Sequence, residues 1–113
     1  LLHTGQDYLA AAFIFQHGRT SDSCLLAHAL AMVAVEKGNR EAIWIASATL
    51  DRYLQDIGQK QIFGTQYSRA HVPGGWTQEP FDRELISDAL RKELQVPSLA
   101  KQADDLKEYQ GLK

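Results

Sequence analysis

Apolar residues recur at helical spacing along most of this chain, and the pattern breaks once. Tyr8, Leu9, Ala12, Phe13 and Phe15 predict a first helix from about Gln6 to His17, with Gly18 just past its end. "TSDS" offers Ser21, Asp22 or Ser23 as the cap of a second helix reaching Lys37, with Leu25, Ala29, Met32 and Val33 along its inner side and Gly38 as its stop. Asn39 can cap a third helix from Arg40 to Ile57, on which Ile43, Ala46, Leu50, Leu54 and Ile57 form one stripe. Ile45 and Ala48 lie off that stripe, so this helix is expected to be covered on more than one side.

The break comes at "QIFGTQY", residues 61–67, where β-formers replace the helical stripe. "VPGG" follows as turn punctuation and "WTQEP" as a returning strand, which predicts one short β-hairpin over about 61–80. Alternation would put Phe63, Thr65 and Tyr67 on one face of it. Asp82 then caps a fourth helix carrying Leu85, Ile86, Ala89, Leu90 and Leu94. Pro97 stops that helix, and Ser98 caps a last one with Leu99, Ala103, Leu106 and Tyr109 in register.

The expected fold is therefore mainly α: a compact antiparallel helical domain with one hairpin. Its N-terminal helices cover about 6–57 and its C-terminal helices about 82–110. Short loops make successive helices antiparallel neighbours. The small-residue spacing and Gly-Asn break in "LLAHALAMVAVEKGNREAIWIA" are those of tetratricopeptide-like helix pairs, but the chain holds too few units for a free-standing array.

Length and charge narrow the function. With 113 residues the chain, 1–113, makes one domain. A net charge of -2 and scattered basic residues give no footprint for nucleic acid or an anionic membrane. No apolar run approaches the roughly 18 residues of a membrane span. A lone cysteine rules out an internal disulfide framework. Because the chain starts at Leu1, a preceding segment is expected, which leaves cytoplasmic and exported locations both open. Oligomeric state is not legible.

Cys24 and His28 share a helix face and could form a nucleophilic pair, but a small buried thiol among Leu25, Ala29 and Met32 reads more simply as packing. An inward His28 then needs a hydrogen-bond partner from another element. His3, His17, His28 and His71 fall on different elements with no metal-ligand spacing, so no metal is expected. "PGGW" does not open a helix as a phosphate loop must, and no cofactor is implied. Asp51 and Arg52 near the end of the third helix read as an ordinary boundary pair until Gln61, Thr65 and Gln66 are added, a dense set of hydrogen-bonding side chains within fifteen residues.

Together "FIFQHG", "LDRYL", "GQKQIFGTQ" and "VPSL" resemble a mainly bacterial family of uncharacterised domains whose signature runs QH, DR and PQ-x-[YF]-G-T-Q, followed by a proline-containing return strand. Lys60 stands where that family has proline before the glutamine, and Ser98 where a second proline is common. The resemblance implies a site at Gln16, His17, Asp51, Arg52, Gln61, Phe63, Gly64, Thr65 and Gln66, and it supplies no reaction. Two functions fit it. In one, a polar pocket at the helix ends binds a small ligand or acts on it: His17 is general acid or base, Asp51 orients it, Arg52 holds an anion, and Thr65 and Gln66 donate hydrogen bonds. In the other, the domain is a tetratricopeptide-like adaptor for a peptide, and the polar motif is a structural latch.

Overall fold

The computed structural model describes residues 2–69 and 75–111. It is mainly helical, with helices α1 (Gly5–Gln16), α2 (Ser21–Glu36), α3 (Ala42–Asp56), α4 (Asp88–Glu93) and α5 (Leu99–Tyr109), and strands β1 (Ser68–Arg69) and β2 (Trp76–Thr77) paired antiparallel. Among the described residues no helix is long and apolar enough to cross a membrane.

Local chemistry sets the helix ends. Thr4 and Asp7 form a reciprocal capping box at α1, each side chain accepting the other's backbone N–H at 3.1 Å. At α2 the cap is Thr20, one residue before the expected set; its hydroxyl accepts from the Ser23 N–H. Asn39 does accept a backbone N–H, that of Glu41, but α3 proper begins at Ala42.

α2 packs against both α1 and α3, and Arg52 near the end of α3 donates to the Gln16 carbonyl at the end of α1, so those two C-termini share one end of the layer. The seam is made of small residues. Ala27, Ala31 and Ala34 of α2 are fully buried, and the last two cluster with Leu9 and Ala12 of α1 and Ala42 and Ile45 of α3. This corrects the expected inner side of α2: Leu25, Ala29 and Met32 are exposed and Val33 is half-buried. α2 is apolar nearly all round, so periodicity could not choose its face. A helix held between two neighbours buries its smallest side chains, because these permit the closest backbone approach. On α3 the buried residues include Ile45, Ala48 and Asp51, while Leu50 and Leu54 are only half-buried, in line with cover on more than one side.

The hairpin is shorter than expected. Residues 61–67 are not a strand, apart from a single parallel bridge of Gln61 to Phe81. The reason is competition for donors: the N–H groups of Ile62, Phe63 and Thr65 point to the Asp51 carboxylate and are lost to any ladder. Of the "VPGG" turn, residues 72–74 lie outside the described residues. β2 is fastened to α5, where Tyr109 stacks on Tyr67 with ring centroids 4.6 Å apart and lies 4.9 Å from Trp76.

α4 is also shorter than expected. Asp82 accepts from the N–H groups of Glu84 and Leu85, yet that turn does not propagate, and the helix starts only after Ser87, whose hydroxyl accepts from Leu90. Ser98 caps α5 as expected.

Candidate functional site

Two features compete for the role of working site: the polar web around Asp51, and an apolar groove between α2 and α3.

Asp51 is fully buried, and its carboxylate accepts four hydrogen bonds. Oδ1 takes the N–H groups of Ile62 (2.8 Å) and Phe63 (2.9 Å); Oδ2 takes the Thr65 N–H (2.9 Å) and hydroxyl (2.7 Å). A carboxylate has about four acceptor positions, so Asp51 is saturated. Its charge faces a nest of backbone dipoles, and among the described residues no cation pairs with it.

Glutamines complete the web. Gln61 Nε2 donates to the carbonyls of Gln66 (3.0 Å) and Gln78 (2.6 Å), and its Oε1 accepts the Gln66 N–H (3.0 Å). Gln78 Nε2 donates to the Gly64 carbonyl and to Gln102 Oε1, while Gln102 Nε2 donates to the carbonyls of Phe63 and Pro97. Gln66 reaches the Ala48 carbonyl and the Thr65 hydroxyl. The polar loop thus folds because four of its N–H groups and three of its carbonyls find partners in buried side chains, and both backbone groups of Gln61 pair with the returning segment.

Gln78 and Gln102 are functional partners of this web that sequence reasoning missed. Gln102 carried a usable signal: it lies three residues after Leu99 and four before Leu106, on the apolar stripe of α5. Gln78 carried none beyond its place in the returning strand.

The remaining predicted residues lie elsewhere. Arg52 is exposed; its Nη1 donates to the Gln16 carbonyl at 2.9 Å, which places a cation on the negative end of α1. His17 is exposed at the cap of α1, and no hydrogen bond joins it to Asp51 among the described residues. The structure therefore brings Asp51, Gln61, Thr65 and Gln66 together, and separately Arg52 with Gln16. It does not join the two sets into one cavity.

Cys24 is buried, with its thiol directed at the Asp56 carboxylate 3.9 Å away. Burial pushes this thiol up from its ordinary range, against the pull of Arg52. No bond joins it to His28. The imidazole Nδ1 lies 2.7 Å from the Ala46 carbonyl, which can only accept, so Nδ1 carries the proton. In the neutral ring Nε2 is then an acceptor, and it has no partner among the described residues.

His28 opens onto a groove of about 380 Å3. Met32, Val35 and Glu36 extend the α2 wall, Ile43, Ala46 and Ser47 form the α3 wall, and Phe63 and Leu94 complete the lining. Phe63 belongs to the loop held by Asp51, so the web positions one wall of the groove. No family model, curated protein or solved structure matches this chain.

Proposed function

We propose that the domain is a small-ligand-binding module whose ligand occupies the groove between α2 and α3, and that the web around Asp51 is a latch holding Phe63 in the groove wall. The observation that carries this reading is the contrast in saturation. Asp51 has no acceptor position left for a ligand, whereas His28 is fixed by Nδ1 and its Nε2 has no partner among the described residues, beside an apolar wall. An apolar cavity with a few convergent polar groups is the common form of a small-molecule site, and this one lies near the lower end of the usual size range. A catalytic role for His17 with Asp51 has no such geometric support.

Met32 is the sole methionine of the sequence and lines the groove, which makes its methyl group a direct reporter. A fragment library screened against methyl-labelled protein should yield saturable shifts of that resonance, with matching increases in melting temperature. If hits raise the melting temperature while the Met32 methyl stays still, the site lies elsewhere.

The adaptor reading has one observation of its own. Phe13 and Ile14 of α1 and Leu26 of α2 are exposed, Ile14 to 71%, on helices that are apolar nearly all round. A peptide-display selection tests it: peptides recovered by the wild-type domain should be lost on Ile14→Lys, and recovery unaffected by that change would remove this surface from consideration.

A further inference from the structure

We infer that the groove selects a hydrophobic amine, a ligand with a protonated amino group on a compact aromatic or branched aliphatic body. This rests on the reading of the groove as a ligand site and adds the chemistry of what it takes.

The polar groups on the groove wall have one sense. His28 Nε2 accepts in the neutral ring, and the Glu36 carboxylate only accepts. The Ser47 hydroxyl, nearly buried on the facing helix and without a hydrogen bond among the described residues, can turn to accept as well. Among the described residues no lysine or arginine lines the groove.

Charge adds to this. Glu36 is the last residue of α2, where the negative end of the helix dipole already lowers the potential. Among the described residues no cation pairs with Glu36. The adjacent Lys37 instead sits over the Tyr8 ring, 5.9 Å from its centroid, toward α1. An unpaired carboxylate on the negative end of a helix, beside a second acceptor and an apolar wall, is complementary to an ammonium group carrying an apolar body. Met32 and Phe63 favour an aromatic body, since thioether and ring both contact a ring face or edge well.

The test compares three probes sharing one body: phenethylamine, 2-phenylethanol and 3-phenylpropanoate, each titrated while the Met32 methyl resonance and melting temperature are followed. The amine should bind about ten-fold more tightly than either partner, and Glu36→Gln should remove about that factor from the amine alone. Glu36 is exposed, so the variant keeps its fold. Equal or tighter binding of the alcohol or the carboxylate, with Met32 shifting, overturns the amine class and leaves the groove standing. Failure of all three to move Met32 overturns the groove reading itself.

Discussion

Gly64 and Gln102 are separated by the absence of one methyl group: a Cβ on Gly64 would lie 2.0 Å from Gln102 Oε1 and 2.6 Å from the Phe81 ring. The Gln102 amide cannot swing aside, because it donates to Phe63 and Pro97 and accepts from Gln78. Gly64 also has a φ of +89°, a region that side chains with a Cβ rarely enter. Gly64→Ala should therefore cost about 3 kcal/mol or more, combining strain and overpacking. The double variant with Gln102→Ala removes the collision with Gln102 but neither the one with Phe81 nor the φ strain, so it should not restore stability. Urea denaturation measures both, and a Gly64→Ala protein of wild-type stability would contradict this packing.

Asp51 and Arg52 are neighbours in sequence with opposite expected behaviour. Asp51→Asn replaces an oxygen with an amide donor opposite N–H groups that have no other partner among the described residues, which should cost about 3 to 5 kcal/mol. Arg52→Lys keeps a cation near the end of α1 and should change stability by less than about 0.5 kcal/mol. Ligand binding by the folded Arg52→Lys protein should also match wild type, since Arg52 does not line the groove. A large loss of binding in that variant would return the site to the helix ends.

The contrast between these two residues also shows what the sequence could and could not tell. The helical pattern and the stops at Gly18 and Gly38 placed α1 to α3 within a residue or two, because those signals are local. Grouping Asp51 with Gln61, Thr65 and Gln66 was legible as polar density. Their use was not, since the bonds come to Asp51 from 11 to 14 residues along the chain, three from backbone N–H groups and one from the Thr65 hydroxyl. The same capture hid the fate of residues 61–67, whose Ile, Phe and Tyr favour a strand until the ladder donors are taken. The groove was missed because α2 is apolar all round. Leu25 and Met32 looked like core, and only packing with α1 and α3 shows that the alanines are.

Cys24 should be inert in the folded protein. It is buried, and its thiol is pushed up by burial, so the reactive thiolate is scarce at neutral pH. Alkylation by iodoacetamide should be slow in buffer and fast in denaturant. Cys24→Ser should leave ligand binding unchanged while costing about 1 to 3 kcal/mol if the hydroxyl finds no partner. Rapid alkylation without denaturant would mean that the α2–α3 seam opens readily.

Tyr67 should give the fold an alkaline limit. Burial, reinforced by the negative charge of Asp105 and by Tyr109, pushes its phenol up to about 12 from an ordinary value of 10.0. An acid whose folded value is raised holds its proton longer in the folded state than in the unfolded one. Between about 10 and about 12 the folded protein binds more protons, so stability is intact below that window and falls as pH rises through it. Ultraviolet titration of the folded protein should show one of the four tyrosines ionising late. Tyr67→Phe keeps the ring stacked on Tyr109 but removes the titrating group. It should abolish the late step and flatten the loss of stability across this window. If the late step survives in Tyr67→Phe, the shielded phenol is another tyrosine and the stacking of Tyr67 on Tyr109 is not what shields it.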